Sequence, residues 1–300
     1  MAKKALCIGV GSYPINSRTK KNIDLKGAVN DANAWATLLN GHFAFPKSAI
    51  QIVLDQNATH AKIINGLKDL LRGAKPDDIL VYFFSGHGTY IAAKSQVQMD
   101  YDQAQCPYDW EENLLVDNEL RELFYNLPTG VKLAVISDSC HSGSVTRMGK
   151  EAMENVHHVV SMEGAAAGDL LAPTDGVQTP KHLPPAWFGG EELNEIDFGE
   201  IREQFGGAYS LFSPEHPEDE MNDLLLSGCN QLEFSWDAPF RGGHHGALTF
   251  YAINAIKMAH YQITYKDLRK QVRKWLAKYN FRQTPQLEGK AENKQRMVFS

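Results

Sequence analysis

Three hundred residues, 43% of them hydrophobic, suffice for one large α/β domain or one domain with a substantial insertion. A net charge of −6 without any basic block offers no phosphate footprint, so nucleic acid is not the expected partner, while room is left for a cationic substrate. No apolar run approaches the ~20 residues of a membrane span, the start lacks a signal peptide's cleavage region, and Cys7, Cys106, Cys140 and Cys229 are scattered without a CxxC pair, as in a reduced cytoplasmic protein.

Lys4 to Val10 reads as a first strand. The glycines of the following Gly9-Val-Gly-Ser-Tyr-Pro14 lack the third member of a dinucleotide-binding turn. Val29, Ala32, Trp35, Ala36 and Leu39 recur at helical spacing within residues 25–39, with Asp31 in the first turns. A strand over 49–54, a helix over 59–72 and the apolar run Ile79-Leu-Val-Tyr-Phe-Phe-Ser-Gly-His-Gly88 continue an alternation that predicts a mostly parallel sheet. Residues 89–110 read as a long polar loop carrying Asp100, Asp102, Cys106 and Asp109. A helix over 113–127 then leads into the buried strand of Lys132-Leu-Ala-Val-Ile-Ser-Asp-Ser-Cys-His-Ser-Gly143. Residues 144–220, rich in Gly, Ala, Pro and acids, read as an exposed linker or insertion. A strand over 223–229, helices over 247–259 and 264–279, and a last strand near Met297 complete the chain.

The chemistry gathers at two strand ends. In an open parallel sheet the carboxyl edges of neighbouring strands meet at the site, which would bring His87 and Cys140 together as base and thiolate nucleophile. The glycines flanking His87 free backbone amides to face a substrate. Asp138, two residues before the cysteine, would oppose thiol ionisation unless it faces something positive. With Asp31 and Ser85 it makes a pocket for a guanidinium or ammonium group; the other reading leaves Asp138 as a hydrogen-bond acceptor in the turn. The adjacent pairs His157-His158 and His244-His245 lack the spacing of a helical zinc site and read as solvated loop histidines.

Ser85-Gly-His-Gly88 and Asp138-Ser-Cys-His-Ser-Gly143 resemble the two catalytic signatures of the metacaspases, most closely the prokaryotic orthocaspases. Leu25-Lys-Gly-Ala-Val-Asn-Asp31 resembles the family's early Gly-Cys-x-Asn-Asp motif with Ala28 in place of the cysteine. Leu226-Ser-Gly-Cys-Asn230 and Gln283-Thr-Pro-Gln-Leu287 resemble motifs of its small subunit.

The resemblance implies a single caspase-like α/β domain, a three-layer sandwich around a mostly parallel sheet. Residues 1–147 would form its large-subunit region, 148–220 a linker and 221–300 its small-subunit region. It implies an endopeptidase acting on protein or peptide substrates after Arg or Lys, with Cys140 as nucleophile, His87 as base and acid, the amides of Gly88 and Cys140 as oxyanion hole, and Asp31, Ser85 and Asp138 around the basic side chain. Self-cutting in the linker is expected at Arg147, Lys150 or Lys181. No cofactor and no nucleic-acid or membrane partner is expected, and the chain should act as a monomer. Many metacaspases use calcium, but here Asn118 follows Asp117 and Arg147 stands where the family has an acid, which predicts activity without it. The alternatives are another thiol hydrolase on an open α/β sheet and an inactive caspase-like scaffold.

Overall fold

In the computed structural model the described residues are 1–92, 101–139, 158–160, 169–184, 187, 221, 223–230 and 233–300. Strands β1 (Lys3–Gly9), β2 (Ile50–Leu54), β3 (Ile79–Ser85), β7 (Lys132–Asp138), β10 (Asp223–Ser227) and β13 (Gln286–Glu288) form one sheet in the order β13-β10-β7-β3-β1-β2. Its pairs are parallel except β10 with β13. Side chains alternate across a strand, so β3 sends Ile79, Val81 and Phe83 into one core and Leu80, Tyr82 and Phe84 into the other. Both faces are therefore apolar, and each needs a helical cover.

The first face is covered by α1 (Ala28–His42), α4 (Ala247–Met258) and α5 (Tyr265–Lys278), through residues such as Trp35, Leu39, Tyr251 and Leu268. The second is covered by α2 (His60–Leu71) and α3 (Asp117–Tyr125), with Ile63, Leu67, Leu120 and Phe124 turned inward. The result is the expected three-layer sandwich. No helix among the described residues is long and apolar enough to cross a membrane.

Several expectations change. The polar loop over 89–110 contains β4 (Gly88–Ala92) and β5 (Tyr101–Gln105), an antiparallel pair that also engages β6 (Leu115–Val116). No strand forms near Met297: α6 (Ala291–Gln295) precedes it, and Met297 makes only an isolated bridge to Thr264. The described part of the linker is not an exposed coil. β8 (His158–Val160) and β9 (Gly176–Pro180) join β11 (Trp236–Phe240) and β12 (Gly243–Gly246) in an antiparallel sheet of order β12-β11-β9-β8.

Candidate active site

The site is built at the carboxyl edge of the central sheet. Ser85 and Asp138 end β3 and β7 in direct register, and Asp31 enters from the first turn of α1. All three are buried. Ser85 Oγ donates to Asp31 Oδ2 over 2.8 Å. Asp138 accepts from Ser235 Oγ at 2.8 Å and from the Thr249 amide, in the first turn of α4, at 2.9 Å. A carboxylate at a helix N-terminus is favoured by the unsatisfied amides and the macrodipole. Asp138 is thus both a local acceptor and a charged wall.

Between these walls lies Lys181, fully buried, although linker composition predicts exposure. Its Nζ stands 2.8 Å from Ser85 Oγ, 3.2 Å from Asp31 Oδ2 and 3.1 Å from Asp138 Oδ1. Burial alone would lower its pKa, but Asp138, Asp31 and Asp237 outweigh that and raise it above the ordinary lysine value. Burial likewise pushes the Asp31 carboxyl up, yet Lys181, His245 and Ser85 together hold it below the usual carboxylate range. Gly246 gives the ammonium its space: a Cβ there would overlap Asp138 Oδ2 and Lys181 Nζ.

Two pocket residues escape sequence reading. Asp237, on β11, is a third buried acid; its Oδ2 accepts from the Gly27 amide at 2.8 Å, while its Oδ1 has no hydrogen-bond partner among the described residues. Burial raises its pKa to about 6 despite Lys181 nearby. His245, expected to be solvated, sits on β12 with Nδ1 2.9 Å from Asp31 Oδ1. An acid inside the otherwise uncharged run Phe234-Ser-Trp-Asp-Ala-Pro-Phe240 was the available signal for the first; the second left none.

The main chain of Lys181 is held as firmly as its side chain. β9 pairs antiparallel with β11 through Pro180 with Trp236 and Thr179 with Asp237. The Lys181 amide donates to the Ser235 carbonyl at 2.9 Å, and the Gly88 amide donates to the Lys181 carbonyl oxygen at 3.0 Å. Gly88 directly follows His87.

His87 is buried, and its backbone N–H donates to Tyr13 Oη at 2.9 Å. Its Nε2 lies 2.7 Å from the Ile23 carbonyl oxygen. A carbonyl only accepts, so the proton is on Nε2 and the lone pair on Nδ1; among the described residues Nδ1 has no hydrogen-bond partner. Burial lowers the His87 pKa to about 4, partly offset by the Ile23 carbonyl. Cys140, Arg147 and Lys150 lie outside the described residues, and the chain reaches the cysteine from Ser139, beside Asp138.

The depressed His87 value sets a stability window. Between its ordinary value of 6.5 and about 4 the unfolded chain binds a proton that the fold refuses. The stability from neutral His87 is therefore complete above pH 6.5 and is lost as the pH falls to 4, by roughly 3 kcal/mol. Denaturant unfolding in a Cys140→Ala background should show this loss, and His87→Gln, which does not titrate, should lack it. Equal losses for the two chains would contradict the assignment.

Asp117 is paired with Arg121 at 3.5 Å, and among the described residues no three His, Cys, Asp or Glu gather as a metal site. Asp100 and Arg147 fall outside the described residues.

Residues 3–148 match the family model of the metacaspase peptidase C14 domain. Metacaspase-1 of Coccidioides immitis is 28% identical over 95% of this chain and 61% of its own length. Metacaspase-4 of Arabidopsis thaliana is 34% identical over 50% of this chain and 36% of its own. The chain thus spans less than two thirds of the length of these relatives. Among solved structures, a Geobacter sulfurreducens protein superposes with a TM-score of 0.70 at 20% identity, covering 100% of this chain and 99% of that one. Caspase-1 of Spodoptera frugiperda gives 0.50 at 11% identity, over 96% and 86%. The fold is therefore caspase-like.

Proposed function

The chain belongs to the metacaspase family, and from that premise we propose that it is a cysteine endopeptidase that cuts after lysine or arginine and first cuts itself after Lys181. One observation carries this reading. A lysine of the chain fills a buried pocket of Asp31, Asp138 and Ser85 while its carbonyl oxygen accepts from the amide next to His87. That is how a substrate must lie for its Lys181–His182 bond to be attacked.

His87 Nδ1, neutral and without a hydrogen-bond partner among the described residues, takes the proton of the Cys140 thiol. The thiolate adds to the Lys181 carbonyl carbon, and the oxyanion is met by the Gly88 amide and, by family resemblance, that of Cys140. The imidazolium then protonates the His182 nitrogen as the C–N bond breaks, leaving a thioester. Water, deprotonated by His87, releases the Lys181 carboxylate. The 148–220 segment joins a large-subunit region to a small-subunit region, and the enzyme acts as a monomer on proteins or peptides. Calcium is not required: Arg121 already holds Asp117, and the neighbouring Asn118 is neutral.

Intact mass analysis and a peptide-library assay, both in excess EGTA, test this. Wild-type chain should yield one fragment ending at Lys181 and one beginning at His182, and should cut Lys and Arg peptides. Cys140→Ala should stay a single chain and cut nothing. Equal cutting after Asp and Arg would end the specificity reading. An intact wild-type chain that still cuts Arg peptides would remove self-processing, and loss in EGTA rescued by calcium would restore the metal.

A further inference from the structure

We propose that recognition extends past the cut bond into two further subsites, an aromatic slot for the first residue after the basic one and an apolar hole for the second. This rests on the peptidase reading above and names more of its substrate. The occupants are in place. The His182 ring, 8% exposed, lies nearly parallel to Tyr90 at 6.1 Å between ring centroids and tilted against Phe234 at 5.4 Å. Phe234 is in turn braced edge-on by Trp236 at 6.1 Å. Leu183, 1% exposed, belongs to the apolar cluster under the second face of the sheet.

The backbone shows that this is a built groove. His182 bridges Gly88 in parallel register. The Gly88 amide donates to the Lys181 carbonyl, the Leu183 amide donates back to the Gly88 carbonyl at 2.9 Å, and Thr89 Oγ1, fully buried, donates to the Leu183 carbonyl at 2.8 Å. β4 therefore grips any sequence by its main chain on this side, as β11 grips Thr179 and Pro180 on the other. Main-chain pairing supplies affinity without choice, and the side-chain pockets supply the choice. A flat ring stacks between Tyr90 and Phe234, and a branched aliphatic chain fills the hole. The substrate class is thus a basic residue, then an aromatic or imidazole ring, then an aliphatic side chain.

The test uses the self-processed wild-type enzyme and internally quenched peptides built on Gln-Thr-Pro-Lys-His-Leu, so no variant has to fold. Exchanging His for Gly, or Leu for Asp, should each lower kcat/KM about tenfold or more, the scale of losing one well-filled pocket. A peptide with Ala for Lys reports the basic pocket separately and should not be cut. If the three Lys peptides are cut alike while the Ala peptide is spared, the extended groove is wrong and the peptidase reading stands. If no Lys peptide is cut, both fall.

Discussion

Lys181→Ala will destabilise the uncut chain by roughly 3–5 kcal/mol at neutral pH, an effect expected of a buried ion-pair partner and not of a linker lysine. Among the described residues the ammonium is the only lysine or arginine cation paired with the Asp31 and Asp138 side chains, both fully buried, and Asp237 adds a third acid to the same pocket. Without it the carboxylates repel one another in a medium that hydrates them poorly. The sign of the pH dependence follows. Acids left in this state take up protons in the fold more readily than in the unfolded chain, so the deficit is largest at high pH and shrinks as the pH falls through their raised folded values. Lys181→Arg keeps the charge and should keep most of the stability.

Denaturant unfolding of these variants in the Cys140→Ala background, at pH 5 and pH 8, gives the measurement without interference from cutting. In the active background Lys181→Arg should still be cut at the same bond, whereas Lys181→Ala should not. A Lys181→Ala chain within 1 kcal/mol of its parent, or cut before His182, would show that the lysine neither neutralises the pocket nor directs the cut.

Much of this site was legible, for reasons that lie in strand periodicity. Apolar runs inside the seven-residue strands that end in Ser85 and Asp138 announce buried parallel strands and the edge at which chemistry collects. Once those strands are neighbours, Ser85 and Asp138 must meet, and α1 brings Asp31 to them. What the sequence hid depends on long-range pairing. β11 holds Pro239, which argues against a strand in a linear reading, yet the residue pairs across to His244 and its carbonyl accepts from Thr174. The linear reading assigns no element to this stretch, and so Asp237 and the partner strand of β9 stay hidden in it. Lys181 was misjudged in its surroundings: linker composition says solvent, and only three acids from distant segments make a dry site tolerable for a lysine. The β4–β5 pair was lost for a plainer reason, since Tyr101-Asp-Gln-Ala-Gln105 carries too few apolar residues to show a strand period.

Asp138→Asn will lower kcat/KM on Lys and Arg peptides thirty-fold or more, the equivalent of roughly 2–5 kcal/mol for one partner of a buried charge pair. Asparagine is the informative change because the carboxylate has two duties. Its Oδ2 accepts from the Thr249 amide at the start of α4, and its Oδ1 accepts from Ser235 Oγ and faces the Lys181 ammonium. Alanine would remove the helix contact as well, and a loss of fold would pass for a loss of catalysis. Asparagine retains an oxygen for Thr249 while its amide turns a donor toward the cation. The field of Asp138 also acts on the thiol two residues away: in an empty pocket the carboxylate opposes thiolate formation, and a bound basic side chain cancels that opposition. On the proposed reading a lysine or arginine substrate would both fill the pocket and relieve the nucleophile, so losing the charge should cost selectivity in kcat as well as in KM. The expected pattern is a large fall for basic peptides, little change for slow neutral ones, and unchanged thermal stability in the self-processed enzyme. If Asp138→Asn keeps its preference for Lys and Arg over neutral residues, the carboxylate serves the helix end alone, and Asp31 with Asp237 must carry the selection.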